Sequence, residues 1–211
     1  MTTAPGNLFV VSAPSGAGKT SLVRALIASD PDLRLSVSHT TRPMRAGEVN
    51  GDHYHFVSAG EFERMCCEDA FLEQATVFDH RYGTARAQIA GHLIRGRDVI
   101  LEIDWQGARQ VRARSPGCVG IFVLPPSIEQ LESRLRKRAQ DDAGVIARRM
   151  HAAVNEVSHY DEFDYLVVND DFDTAVAQLR SIIVAQRLRR TPQSVRHAAL
   201  MESLLAGMTE T

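Results

Sequence analysis

The sequence predicts an α/β fold, a parallel sheet flanked by helices with a small α+β unit inserted in it. Three observations lead there. Short, wholly apolar runs alternate with helix-period segments along most of the chain. The first such run, LFVV, passes into the glycine-rich turn SAPSGAGKTS and then directly into a helical pattern. Between residues 38 and 90 the alternation gives way to turn dipeptides and a helix, and residues 134–150 form a second, charged and helical, insertion.

Leu8–Ala13 reads as a buried parallel strand. Lys19–Ala28 sets Leu22, Leu26 and Ile27 on one side and stops before Asp30-Pro31, as a helix does. Leu33–Ser38 is a second strand. Asn50-Gly51 is a strong hairpin signal and predicts His53–Val57 as the returning strand. Ser58 with Glu61 forms a capping box for a helix to about Cys67. Phe71–Phe78 is extended in character. Thr84 is placed to cap a helix through Leu93 and Ile94 that Gly96 ends. Asp98–Asp104 (DVILEID) is the clearest interior strand, followed by a helix from Gln106 and the strand Val119–Leu124. Ser127 with Gln130 opens the basic helix LESRLRKRAQ. Val145–His159 is helical, Tyr165–Val168 a strand and Phe172–Arg189 a helix, and the tail after Thr191-Pro192 predicts one amphipathic helix through Val195, Ala199, Leu204 and Leu205.

The chain has 211 residues, 44% hydrophobic and 24% charged, as expected of one compact unit with a sizeable core. A net charge of −2 gives no global field favouring nucleic acid or a membrane surface. No stretch reads as a signal peptide or a membrane span, and three cysteines without a CxxC pair predict a reduced, cytoplasmic protein. Cys66-Cys67, the alternating His53 and His55, and Trp105 read as packing or surface features. The tail arginines read as helix caps or partner contacts.

Ala13-Pro-Ser-Gly16-Ala-Gly18-Lys19-Thr20 nearly fits GxxxxGK[ST]. In that pattern glycines let backbone N–H groups turn inward around phosphate oxygens, the following helix adds its positive end, the lysine reaches the β- and γ-phosphates, and the hydroxyl is placed for Mg²⁺. Ala13 stands where the pattern has glycine. The loop alone does not separate a kinase from a GTPase or an ATPase, although Asn169-Asp170-Asp171 lacks the lysine of a guanine-reading NKxD motif. Arg42 and Arg45, three apart after a strand, could clamp an anion with their forked donors, with Tyr54 adding a hydroxyl, or could lie on a solvated loop.

With the block S-x-T-T-R-P-x-R-x-G-E-x-x-G-x-x-Y added to SAPSGAGKT, then FLE, YGT, LEID with QG, and the late VVND, the sequence resembles guanylate kinases from Leu8 to Asp171. The resemblance implies a P-loop nucleoside monophosphate kinase fold: a core of about 1–37, 91–133 and 151–211, a GMP-binding subdomain of about 38–90 and a lid of about 134–150. It implies transfer of the γ-phosphoryl of ATP to GMP with Mg²⁺. Ser38, Glu73, Thr84 and Asp104 match residues that read guanine. Arg42, Arg45, Tyr54 and Tyr82 match those that hold the GMP phosphate. Ala13, Pro14, Ser15, Gly16, Ala17, Gly18, Lys19, Thr20 and Ser21 would cradle ATP, with Asn169 near the adenine. Lys19 and Arg42, with the lid arginines Arg134, Arg138 and Arg149, would stabilise the transferring group. Thr20 would hold Mg²⁺ directly, and Glu102 or Asp104 through water. Arg81, where relatives often carry an aromatic residue, and Ala139, where glycine is common, depart from the pattern. The partners implied are the two nucleotides, with no nucleic acid or membrane, and a homo-oligomer is left open.

Guanine chemistry agrees with this assignment. Its N1–H and N2–H donors suit carboxylates and its O6 suits hydroxyls, whereas adenine would present a lone pair to the same carboxylates. Two other readings remain: a non-catalytic binding module of the same fold, and a P-loop kinase for a phosphorylated sugar. The retained Lys19-Thr20 pair disfavours the first, and the acids Glu73 and Asp104, of no evident use to a sugar, disfavour the second.

Overall fold

A computed structural model describes residues 4–77, 79–138 and 143–207, and for 137, 138 and 143–149 it describes the backbone alone. In chain order the elements are β1 (Leu8–Ser12), α1 (Lys19–Ser29), β2 (Leu33–Leu35), β3 (His39–Thr40), β4 (His55–Phe56), α2 (Ala59–Cys67), β5 (Phe71–Val77), β6 (His80–Ala85), α3 (Arg86–Leu93), β7 (Asp98–Glu102), α4 (Trp105–Arg114), β8 (Val119–Leu124), α5 (Ile128–Arg138), α6 (Ala143–Val157), β9 (Tyr165–Val168), α7 (Phe172–Arg187), α8 (Arg190–Arg196) and α9 (Ala198–Ala206).

One five-stranded sheet runs β2-β7-β1-β8-β9 with every pairing parallel. All five residues of β1 are buried because both faces of the sheet are covered. Successive side chains of a strand point to opposite faces, so β1 contributes to two cores. Phe9 and Val11 pack with Leu22, Leu26, Leu179 and Ile183 of α1 and α7. Leu8 and Val10 pack with Ile89 and Val111 of α3 and α4 on the other side. A second sheet, β4-β3-β6-β5, comes from the segment between β2 and α3. The expected caps form: Ser58 Oγ accepts the Glu61 N–H at 3.1 Å and Ser127 Oγ that of Gln130 at 3.2 Å.

Four local expectations are corrected. The Asn50-Gly51 turn does not join a hairpin, because β3 and β4 pair parallel, His39 opposite His55. The dipeptide still turns the chain, with the Gly51 N–H donating to the Tyr54 carbonyl at 2.8 Å, but β3 takes its antiparallel neighbour from β6. Thr84 caps no helix; it sits buried in β6 opposite Glu73, and α3 begins after Ala85. The ladder with β5 provides bonds that a lone cap does not. The second strand stops at Leu35, although the Ser36 N–H still reaches the Ile100 carbonyl at 3.0 Å. The tail forms two short helices rather than one, and Leu204 and Leu205 are 62% and 66% exposed rather than packed on the body.

Arg187 near the end of α7 donates to Asp98 Oδ2 at 2.6 Å and to Asp30 Oδ2 at 2.7 Å, fastening α7 to the start of β7 and the end of α1. The Asp98 side chain is 4% exposed. Without Arg187 the Asp98 carboxylate keeps the two Asn7 donors on Oδ1 but loses its only described cation, and breaking a buried pair of this kind costs about 3 kcal/mol or more. Arg187→Leu should therefore lower urea-unfolding stability by about 3 kcal/mol; a loss below ~0.5 kcal/mol, the size of an ordinary surface change, would show that Asp98 is satisfied without it.

Candidate active site

Parallel pairing of β1 with β7 sets Val11 beside Glu102, so the carboxyl ends of both strands open at one place. The glycine loop leaves β1 there. Gly16 and Gly18 have φ of +92° and +94°, a region open to glycine at no steric cost. Ala13 is not among the positive-φ residues, so the departure from the pattern carries no backbone strain. Gly18 is also the N-cap of α1, without a side-chain cap. The N–H groups of Gly16, Gly18, Lys19 and Thr20 find no protein acceptor among the described residues, leaving a positive concavity at the helix end.

The loop is braced from behind. Asn169 Nδ2 donates to the Ala17 carbonyl at 2.7 Å, and Arg134 donates to the same oxygen at 3.2 Å and to the Asn169 carbonyl at 3.1 Å. Both side chains thus support the loop rather than line the cleft. In front, Lys19 Nζ donates to the Ile103 carbonyl at 3.1 Å, and the Thr20 hydroxyl donates to Glu102. Ser21 is exposed on α1.

A cleft of about 270 Å³ runs from this loop to the second sheet. Its walls bring together Ala13–Gly16, Gly18–Thr20, Ser38, Tyr54, Glu73, Tyr82 and Glu102–Asp104. Glu73 on β5 is 2% exposed and accepts from the hydroxyl of Thr84, its neighbour across the ladder. Ser38 Oγ lies 3.4 Å from Thr84 Oγ1. Burial first, then the charge of Asp104, push the Glu73 carboxyl up to about 7. Asp104 has a structural duty as well: its Oδ1 accepts the Gly107 N–H at 2.9 Å, capping α4. Gly107 must be glycine for Glu73 to sit there, since a Cβ would come within 2.6 Å of Glu73 Oε2.

Tyr54 and Tyr82 meet edge to face at 5.8 Å on the same wall. Burial pushes the Tyr54 hydroxyl up, keeping it a proton donor. The Arg42 guanidinium lies 5.5 Å from the Tyr54 ring centroid and donates to Glu48 at 2.7 Å. Arg45 is exposed, and its backbone N–H donates to the other oxygen of Glu48 at 2.7 Å. Neither arginine lines the cleft. The side chains of Arg138 and Arg149, like residue Ala139, lie outside the described residues. Arg81 sits with its guanidinium 4.6 Å from the Phe62 ring centroid and pairs with Glu63, away from the cleft.

Two acids escaped the sequence reading. Glu48 lies inside the arginine block, but nothing in its spacing indicates that it grips Arg42. Glu156 lines the cleft and accepts the Ser15 N–H at 2.7 Å, across a separation of 141 residues that no local pattern encodes.

The fold is that of a P-loop kinase, with the glycine loop facing an acid-lined pocket across one cleft. Residues 5–186 match the family model described as guanylate kinase. The chain is 60% identical over 200 residues to the guanylate kinase of Methylococcus capsulatus, covering 95% of this chain and 98% of that one. It is 56% identical over 205 residues to that of Escherichia coli K12, covering 96% and 99%. The crystal structure of guanylate kinase from Anaplasma phagocytophilum superposes with a TM-score of 0.76 at 31% identity over 90% of each chain. The chain belongs to the guanylate kinase family.

Glu73 carries a stability cost that depends on pH. Its folded pKa lies above the ordinary value of 4.5, so the folded state is fully favoured below 4.5 and loses that advantage as pH rises through about 7. Glu73→Gln keeps the shape without the charge. At about pH 8 it should exceed the parent in urea-unfolding stability by roughly 3 kcal/mol at most, with the gap closing towards pH 4.5. A gap that is flat with pH would mean that Glu73 titrates as in water.

Proposed function

We propose that the chain transfers the γ-phosphoryl of ATP to GMP, yielding ADP and GDP, in this cleft. The observation that carries the reading is the buried Glu73, with Thr84, Ser38 and Asp104 around it, facing the glycine loop across one cavity. As a carboxylate Glu73 accepts from N1–H and N2–H of guanine, Asp104 takes a remaining donor, and the Ser38 and Thr84 hydroxyls turn to O6. Adenine would leave at least one of these buried groups unpaired, at about 1–3 kcal/mol each.

The acceptor needs no general base. The second pKa of a phosphate monoester is about 6, so GMP is mostly a dianion at neutral pH and its oxygen is already a nucleophile. What remains is to hold two mutually repelling phosphates in line. Tyr54 and Tyr82 donate to the GMP phosphate, and Arg42, fixed by Glu48, supplies positive charge behind them. Arg45 reaches the same phosphate from the loop when the subdomain of about 38–90 moves onto the core. On the donor side the open amides from Gly16 to Thr20 hold the ATP phosphates, and Lys19 moves from the Ile103 carbonyl to the β/γ oxygens. Arg134 and Asn169 keep the loop in shape, while Arg138 and Arg149 belong to the proposed lid of about 134–150.

The residues present fit a magnesium ion. The Thr20 hydroxyl and the Glu102 carboxylate touch at the foot of the loop, and such hard oxygens, completed by phosphates and water, are what Mg²⁺ takes. Asp104, occupied by the cap of α4, is the poorer of the two acids for this. When bound, Mg²⁺ neutralises charge on the β- and γ-phosphates. Among the described residues no helix is long and apolar enough to cross a membrane, and three free cysteines suit the reducing cytoplasm.

A substrate panel tests the reading. With ATP and Mg²⁺, the purified chain should convert GMP to GDP and turn over AMP, CMP and UMP far more slowly. AMP turned over as fast as GMP would end the guanine-reading role of Glu73. Lys19→Ala should lower kcat by about a hundredfold or more in a protein that melts normally; unchanged turnover would remove Lys19 from the mechanism.

A further inference from the structure

One N–H of the phosphate loop already has an anion. Glu156 stands near the end of α6 and its Oε2 accepts the Ser15 N–H at 2.7 Å, whereas the amides of Gly16, Gly18, Lys19 and Thr20 remain open. The side chain is largely buried in the same cleft as the two proposed nucleotide cradles and feels the charges of both Lys19 and Asp104. It is held there. His159, three residues on, stacks on Trp105 at 3.6 Å between ring centroids, which pins the end of α6 to the start of α4 beside Asp104. The Ser15 amide belongs to the loop whose lysine pattern serves the β- and γ-phosphates, so a carboxylate hydrogen-bonded to it competes with a phosphate for that donor.

We infer that Glu156 is a resident anion at the γ-phosphate end of the ATP cradle, a positioning residue that holds the Ser15 amide until the terminal phosphate displaces it. The inference rests on the kinase reading above. ATP must evict the carboxylate or crowd against it, whereas ADP, ending one phosphate short, leaves it in place. The bound donor therefore carries a cost that is relieved as the γ-phosphoryl departs and Glu156 returns to Ser15, which favours transfer over tight holding of ATP.

The experiment compares binding of MgATP and MgADP by calorimetry, without GMP, for the parent and Glu156→Gln. If the competent loop is a minor state because Glu156 fills it, removing the charge should tighten ATP about tenfold and ADP by less than about twofold. In steady state the same variant should show a lower KM for ATP together with a lower kcat. Equal shifts for the two nucleotides, or weaker binding of both, would overturn the inference and make Glu156 a brace of the loop. A parent that binds neither nucleotide would instead overturn the reading of the loop, and this inference with it. Should Glu156→Gln fold poorly, the parent alone decides through the ¹⁵N resonance of Ser15. That resonance should move strongly with MgATP and little with MgADP, and equal displacement would overturn the proposal.

Discussion

The parallel register between Leu8–Ser12 and Asp98–Glu102 is the constraint on which the site depends. Each strand ends in polar groups, the glycine loop after β1, and Glu102 and Asp104 at and just after the end of β7, and a parallel pairing brings both ends to the same edge of the sheet. An antiparallel pairing would have sent them to opposite edges. Because β1 lies inside the sheet with helices on both faces, the loop grows from a rigid base. Asn169, after the edge strand β9, reaches the same loop only because β8 and β9 continue the parallel order. The contacts Lys19–Ile103 and Thr20–Glu102 are consequences of that register.

On the proposed function the cleft attracts anions on both sides while keeping its own acids charged. Glu73 shows the tension most clearly. Selectivity for a purine edge with two donors asks for a carboxylate in a dry place, and dryness together with Asp104 raises its pKa. Thr84 offsets part of that cost by donating to the carboxylate before any ligand arrives. The groups suited to anions are likewise engaged in the protein's own contacts. Arg42 is held by Glu48, whose carboxyl it keeps below the usual range, and Ser15 is held by Glu156. Arg42 and the Ser15 amide, both of a kind that suits a phosphate, thus each hold a carboxylate of the chain.

Much of this was legible from local pattern. The strand–loop–helix at the start, the run DVILE, the strands Val119–Leu124 and Tyr165–Val168, and the caps at Ser58 and Ser127 follow from signals a few residues long: apolar runs, glycine spacing, a hydroxyl three residues before an acid or amide. Two of the misread elements have a remote partner. Asn50-Gly51 makes its turn, but the direction of β4 depends on which strand receives it. Thr84 has the side chain of a cap and the position of a ladder residue, and Glu73 across the ladder decides between them. Asp104 both lines the cleft and caps α4.

The sequence by itself determined the chemistry on offer: a loop able to wrap phosphate, a lysine and a threonine at its end, and acids and hydroxyls that complement guanine. Those depend on residue type and short spacing, which a linear chain displays in full. Only the tertiary structure decided which of them meet. It set Glu102 rather than Asp104 beside Thr20, turned Arg134 and Asn169 to the back of the loop, and brought Glu156 to Ser15 from the far end of the chain. Contacts of that kind arise from strand order and helix docking, and their sequence separation leaves no periodic trace.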